Sequence, residues 1–195
     1  MAFGKKSYGG AGGFKVKKPK PPLDAAGLLE FAVRSLSSRM KSVRDLRRKM
    51  VERAEPGEVG EVAVEAVILK LKDLGYLSDE RFAADYARLR KENDKFGQRR
   101  VQQGLMQKGI AQELTTSTLA TAYDDIDEVA LARAYVSRKR MKQPEGDREK
   151  KQKETAKAMR RLVAAGFSTK TVWKVLREWG AELEEVDLEE TVNSE

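Results

Sequence analysis

Apolar residues recur through the middle of the chain at the three- and four-residue intervals of amphipathic helices. The last such segment has the i, i+3, i+4, i+7 spacing of a helix with one buried face, in Val172, Val175, Leu176 and Trp179. Between residues 23 and 180, no window alternates apolar and polar residues over the length of a strand, and proline occurs only at positions 56 and 144. The pattern therefore predicts an all-α protein.

Capping residues divide this pattern into separate helices. Asp24, Ser42 and Ser78 each precede an apolar run, and their side chains can accept hydrogen bonds from the free N–H groups of a first helical turn. Gly75 and Gly109 each follow a run, where a left-handed glycine commonly ends a helix. These signals predict nine helices between the two ends of the chain.

The apolar spacing also predicts which side chains face the core. In the third helix, from residue 58 to 74, the inward residues are expected to be Val62, Ala66, Leu69 and Leu74. In the fourth helix they are expected to be Phe82, Tyr86 and Leu89, and in the eighth Met159 and Val163.

The first helices of three successive segments resemble one another. Phe31, Tyr86 and Tyr135 occupy the same place in each, and small and basic residues follow them. Core packing is the expected role of these aromatic residues.

The second helices of these segments also correspond. GLMQKGI at 104–110 resembles RLVAAGF at 161–167, and DLRRKMV at 45–51 is a weaker copy without the glycine. A three-helix unit of about 50 residues buries little core alone, so neighbouring units should stack on one another. The sequence therefore predicts three tandem three-helix repeats in an elongated, curved array of right or left hand, with bounds at 23–76, 77–125 and 126–180.

Charge is distributed unevenly along the chain, whose formal net charge is +8. Residues 1–22 contain six lysines and no acidic residue, and they are predicted to form a disordered basic arm. Residues 181–195 contain seven acidic residues and no base, and they are predicted to form an acidic tail. The middle of the chain therefore also carries a positive excess, which favours a polyanionic partner such as nucleic acid.

Several kinds of chemistry lack the residues they require. The chain contains no cysteine and no histidine, which excludes thiolate or imidazole metal sites and a nucleophile–histidine pair. It also lacks a GxxxxGK[ST] phosphate-binding loop and clustered carboxylates that could hold a metal. We therefore expect no enzymatic activity and no cofactor. With no apolar run of 18 residues and no secretory signal, we expect a cytoplasmic protein.

Paired basic residues recur on the second helices and are the candidates for a binding face. Gly97 starts a helix whose first turn carries Arg99 and Arg100, where backbone N–H groups and guanidinium groups could together hold a phosphate. The predicted face comprises Arg47, Arg48, Lys49, Lys95, Arg99, Arg100, Lys108, Arg138, Arg140, Arg160 and Arg161.

Two neighbouring segments carry a family resemblance. GYLSDERFAADYARLR at 75–90, followed by FGQRRVQQGLMQKGI at 96–110, resembles the central pattern of the RecX family of regulatory proteins. Residues 39–50 also fit the family's R-x-x-S-x-x-[ED]-L-x-x-K-[LM] pattern. The chain departs from the family before Arg100, where it has one glycine, Gly97, and no proline.

The resemblance implies both a fold and a function. The fold it implies is three tandem three-helix repeats. The function it implies is non-catalytic regulation of DNA repair, homologous recombination and the SOS response. Such a protein binds RecA and its filament on single-stranded DNA and modulates, usually by inhibition, recombinase, ATPase and co-protease activities. The partners expected are therefore the RecA filament and single-stranded or double-stranded DNA, and the chain is expected to be a monomer.

Two other functions are also compatible with the residues. The helix at 97–108 could be the recognition helix of a DNA-binding transcriptional regulator, with Gln98, Arg99, Gln102 and Gln103 contacting base edges. Alternatively, the chain could be a helical scaffold that does not contact nucleic acid.

Overall fold

The computed structural model describes residues 21–180, and the predicted acidic tail and nearly all of the predicted basic arm lie outside this range. The regular secondary structure of this part is helical, apart from one isolated bridge between Leu23 and Ala54. Its helices are α1 (Ala25–Ser38), α2 (Val43–Val51), α3 (Glu58–Asp73), α4 (Asp79–Glu92), α5 (Gln98–Gln107), α6 (Gln112–Tyr123), α7 (Glu128–Arg138), α8 (Arg148–Ala164) and α9 (Thr169–Arg177). Within residues 21–180, none of these helices is long and apolar enough to cross a membrane.

The predicted capping residues begin the helices as expected. The side chains of Asp24, Ser42 and Ser78 accept hydrogen bonds from backbone N–H groups three residues ahead, at 2.8, 3.2 and 3.1 Å. Gly75, at φ +71°, follows α3, and Gly109, at φ +77°, follows α5. These signals act within one helical turn, which explains why they could be read from the sequence.

The helices pack in consecutive sets of three, each around its own core. Leu28, Leu46 and Leu71 lie in the core of α1–α3, Val101 and Leu119 in that of α4–α6, and Leu162, Phe167 and Val172 in that of α7–α9. Helix-to-helix packing is extensive within each set and sparse between sets. The predicted all-α fold of three tandem three-helix repeats is therefore confirmed, whereas the residue bounds given for the repeats stay predictions.

The prediction for the inward face of α3 is wrong. Val62, Ala66, Leu69 and Leu74 are exposed, and the buried face instead consists of Gly60, Val64, Val67, Ile68 and Leu71. Apolar residues occupy both sides of this helix, so periodicity alone could not select one. The choice depends on the turn before the helix, because a Cβ at Gly60 would overlap the carbonyl oxygen of Glu55. Only the face that carries this glycine can approach the turn so closely.

Two further apolar residues expected in the core are largely exposed. Leu89 of α4 is 40% exposed and Val163 of α8 is 48% exposed. In α4, the small residues Ala83 and Ala87 are buried in their place, and in α8 Ala158 is buried. Because alanine allows close approach between helices, the larger neighbouring side chains lie at the margin of the contact.

The first and second repeats join where the start of α2 meets the end of α5. The buried Ser42 hydroxyl donates to the carbonyl of Lys108 at 2.7 Å, and Arg44 donates to the carbonyl of Gln107 at 2.6 Å. The backbone N–H of Val43 donates to Asp79 at the start of α4, at 2.9 Å. Polar groups at helix ends therefore hold this junction together, since they satisfy one another.

The second and third repeats join in the same way, with the start of α5 against the end of α8. The N–H of Gly97 donates to the carbonyl of Ala165 at 2.9 Å. A Cβ on Gly97 would overlap the carbonyl of Gly166, and a Cβ on Gly166 would overlap the backbone of Arg100. Phe96 packs into the cores of both repeats. Gly166 of the third repeat, like the equivalent Gly109 of the second, therefore lies in the turn that contacts the preceding repeat.

Candidate nucleic-acid interface

A groove of about 850 Å³ separates the first repeat from α4 of the second. One wall is formed by the loop after α1 and by α2, and the other by the exposed side of α4. Its basic lining residues are Arg39, Lys41, Arg48, Lys49, Arg90 and Lys108. The groove exists because the junction described above joins α2 to α5 while leaving a space between α2 and α4.

Two acidic residues line the groove, and both are engaged by neighbouring bases. Asp45 lies 2.7 Å from the ammonium of Lys108 and 3.6 Å from the guanidinium of Arg48. Asp94 lies 2.7 Å from Arg90. Among residues 21–180, no carboxylate forms an ion pair with Arg39, Lys41 or Lys49. The groove therefore carries positive charge that the described part of the chain does not neutralise.

Lys41 lies partly buried among these basic residues. Burial lowers the pKa of the Lys41 ammonium, the positive charges of Lys49 and Arg39 lower it further, and Asp45 opposes these effects. The ammonium also donates hydrogen bonds to the carbonyls of Ser35 and Arg39, which hold it at the end of α1. An anion bound in the groove would relieve the repulsion among these bases.

Apolar and aromatic groups form the remaining surface of the groove. The rings of Phe82 and Tyr86 stack with their centroids 5.8 Å apart, and the guanidinium of Arg90 lies 4.9 Å from the centre of the Tyr86 ring. Met40 and Leu89 also line the groove and are 43% and 40% exposed. Basic side chains beside aromatic rings are typical of surfaces that bind single-stranded nucleic acid. The phosphates contact the basic side chains, and the nucleobases stack on the aromatic rings.

The structure brings three of the predicted site residues together in this groove: Arg48, Lys49 and Lys108. Arg138 lies beside the groove, since its guanidinium is 3.4 Å from Asp94, which lines the groove. Arg47 does not belong to this group, because it points to the other side of α2 and pairs with Glu65 of α3. Neighbours in sequence on a helix are separated by 100° around its axis, so the three consecutive bases at 47–49 could not all face one groove.

Three other predicted basic residues lie at the junction of the second and third repeats. Lys95 occupies the turn before α5 with φ +58°, and Arg99 and Arg100 are exposed in the first turn of that helix. The guanidinium of Arg100 lies 5.9 Å from the ring centre of Phe96. The backbone end of α5, however, is packed against Ala165 and Gly166, so it is not the open phosphate-binding terminus that the sequence suggested.

Arg99 lies close enough to Glu128 to influence its ionisation. Burial raises the pKa of Glu128, but hydrogen bonds from Ser168 and Thr171 together with the charge of Arg99 outweigh it, and the pKa is lowered. The hydrogen bonds from Ser168 and Thr171 are therefore the main cause of this lowering, and the charge of Arg99 is the smallest one.

The remaining predicted bases are Arg140, Arg160 and Arg161. Arg140 follows α7 with φ +47°, and Arg160 and Arg161 lie on the exposed side of α8. Within residues 21–180, none of the three forms an ion pair. Apart from Arg47, the predicted basic residues therefore lie at the groove, at the junction of the second and third repeats, or elsewhere in the third repeat. Their role in binding stays a prediction.

Three basic residues that line the groove were not among the predicted site residues: Arg39, Lys41 and Arg90. A signal for one of them was available, since Arg39 is the first residue of the R-x-x-S pattern at 39–42. Lys41 and Arg90 carry no such mark, because their proximity depends on how two repeats pack.

Known proteins of one family resemble this chain. Residues 78–119 match the family model described as RecX, second three-helix domain. Two relatives named Regulatory protein RecX come from Shigella dysenteriae serotype 1 (strain Sd197) and Escherichia coli (strain SE11). Each is 39% identical to this chain over 120 residues, which cover 58% of this chain and 70% of the relative.

Two solved structures share the fold. The crystal structure of RecX from Lactobacillus salivarius superposes with a TM-score of 0.59 at 21% identity, over 80% of this chain and 97% of that one. A crystal structure of regulatory protein RecX gives a TM-score of 0.59 at 25% identity, over 79% of this chain and 73% of that one. From the helical repeats, the matched second domain and the identity to these relatives, it follows that the chain belongs to the RecX family of regulatory proteins.

Proposed function

We propose that the chain is a non-catalytic regulator that binds RecA and its filament on single-stranded DNA and inhibits the recombinase, ATPase and co-protease activities of RecA. It would act in the cytoplasm, in the control of homologous recombination and the SOS response. Membership of the RecX family supports this proposal in general terms. The observation that carries it is the basic groove between the first repeat and α4, where uncompensated charge lies beside aromatic rings.

The groove has the chemistry needed to hold a nucleic-acid strand within a protein filament. Arg39 and Lys49 would contact phosphates, and each neutralised phosphate would make binding more sensitive to salt. The Tyr86 ring, which is stacked with Phe82 and lies under the guanidinium of Arg90, would add an aromatic surface beside these phosphate contacts. The other repeats would extend the contact along the filament, because the repeats succeed one another in a row.

A transcriptional regulator that inserts α5 into the major groove gains no support from this geometry. The start of α5 is packed against Ala165 and Gly166, and its end against Ser42 and Arg44. A recognition helix needs its N-terminal part free to approach base edges.

The proposal predicts inhibition of RecA at substoichiometric amounts of the chain. ATP hydrolysis by RecA on single-stranded DNA should fall when the chain is added below the concentration of RecA, and strand exchange should fall with it. Both assays are to be run at low and moderate salt, because binding through phosphates weakens as salt rises. RecA activity unchanged in both assays and at both salt concentrations would reject the proposed function.

Reversing the charge of the two basic residues at the junction of the second and third repeats should weaken inhibition of RecA. For Arg99→Glu with Arg100→Glu we expect inhibition to weaken about 5-fold, because two exposed bases are lost while the groove stays intact. Circular dichroism should show unchanged helical content. The matched control is Arg34→Glu with Lys170→Glu, which changes the net charge equally at exposed positions outside the groove. Inhibition equal to that of the control would remove Arg99 and Arg100 from the binding surface.

A further inference from the structure

The outward side of α3 presents an apolar row that nothing in residues 21–180 covers. Its members are Val59, Val62, Ala66 and Leu69, which we call the α3 seam; the exposed fractions of the three larger side chains are 70%, 63% and 61%. They are spaced by three, four and three residues, as in the a and d positions of a coiled coil. The core of the first repeat is built by the opposite side of the helix, so the seam is not needed for folding.

Charged residues follow one edge of the seam at intervals of seven. Glu58 stands at the start of α3, Glu65 at its middle and Lys72 near its end. This edge is therefore acidic at one end and basic at the other. Glu65 is already paired with Arg47 of α2. Such an edge can be complementary to itself only when a second copy runs in the opposite direction.

The geometry of an antiparallel helix pair fits these positions. In that arrangement an a residue meets a d residue of the other helix, and g residues meet g residues. Val59 would face Leu69 of the second copy, and Val62 would face Ala66. In the same register, Glu58 of each copy would lie beside Lys72 of the other, while the two Glu65 side chains at the centre each keep Arg47. Antiparallel helices also align the positive end of one dipole with the negative end of the other.

We propose that the chain self-associates through the α3 seam as a two-fold symmetric, antiparallel pair. This goes beyond the proposed function, does not depend on it, and departs from the monomer expected from the sequence. Residues 1–20 are a less suitable occupant, because their glycine- and lysine-rich sequence has no matching heptad of apolar residues. One 16-residue helix from each copy makes a small interface, so the pair is a weak one that forms as concentration rises.

The apolar part of the contact is tested by sedimentation of the full chain between about 10 µM and about 500 µM, a range suited to a weak complex. The average mass should rise with concentration. Leu69→Lys should abolish this rise. Leu74→Lys is the matched control, because Leu74 is 58% exposed and lies off the seam, and it should associate like the unmodified chain. A monomer at every concentration, including one in which residues 1–20 cover the seam, overturns the proposal, as does association that survives Leu69→Lys.

The direction of the pair is tested by exchanging charges. Glu58→Lys alone and Lys72→Glu alone should each weaken association about 10-fold, because each creates two like-charge contacts in the symmetric pair. The double exchange should restore association to within about 3-fold of the unmodified chain, since the two pairs re-form in reverse. Thermal unfolding of each variant checks that α3 is intact. A double exchange that associates no better than the single variants overturns the antiparallel arrangement.

Discussion

Replacing Gly166 with alanine is expected to lower the free energy of unfolding by about 3 kcal/mol. Gly166 has φ +90°, and an L-residue other than glycine pays about 1–2 kcal/mol for the left-handed region. The added Cβ would also overlap the backbone of Arg100, and overpacking of this kind costs about 1–3 kcal/mol. Backbone atoms cannot move aside as a flexible side chain does, so the start of α5 would have to shift away from α8.

Gly75 provides the control for this substitution. It has φ +71° after α3, and its N–H and that of the next residue bond to the preceding turn in the same pattern as at Gly166. A Cβ at Gly75 would only touch the Arg81 guanidinium, at 3.6 Å. Gly75→Ala should therefore cost about 1 kcal/mol, the conformational part alone. Urea unfolding followed by circular dichroism measures both variants. Equal losses would mean that the contact between Gly166 and Arg100 contributes nothing to stability.

Reversing two bases of the groove, with Arg39→Glu and Lys49→Glu, is expected to lower affinity for single-stranded DNA about 100-fold. Both side chains are exposed and neither forms an ion pair within residues 21–180, so the change removes two phosphate contacts and adds two repulsive ones. The slope of log affinity against log salt is negative, and its magnitude should fall by about 1.4, because a single strand releases about 0.7 counterion per phosphate contacted. RecA inhibition should weaken in parallel.

The experiment is a fluorescence titration of labelled single-stranded DNA at several salt concentrations, with circular dichroism to verify the fold. The control is again Arg34→Glu with Lys170→Glu, which changes the net charge by the same amount away from the groove. An equal loss of affinity in the control would show that overall charge, and not the groove, governs binding. An unchanged affinity in the groove variant would place the nucleic-acid contact elsewhere.

Features that depend on local interactions were predictable. The caps at Asp24, Ser42 and Ser78 and the turn glycines Gly75 and Gly109 act within one helical turn, so the residues that specify them are adjacent in the chain. The repeated helices were predictable for a related reason, since equivalent packing positions in each repeat require similar residues.

Features that depend on how segments pack in three dimensions were not predictable from apolar spacing. The prediction for the inward face of α3 was wrong, because both faces are apolar and the close approach of Gly60 to Glu55 selects between them. The first repeat lacks the turn glycine of the other two. In those repeats the glycine touches the start of the second helix in the preceding repeat, whereas α2 is followed by the bridge between Leu23 and Ala54.

The candidate site shows the same division. Basic residues and their helical placement could be read from the sequence, and so could the family pattern that includes Arg39. The junction of α2 with α5 decided which of these basic residues share a groove. It brings Lys49 and Lys108 into one groove with Arg90 and leaves Arg47 facing α3. The sequence by itself determined the helices, the repeat and the family, because these depend on neighbouring residues and recurring patterns. The tertiary structure alone decided which charges converge and which apolar face stays open, because these depend on how the turns and helices pack in three dimensions.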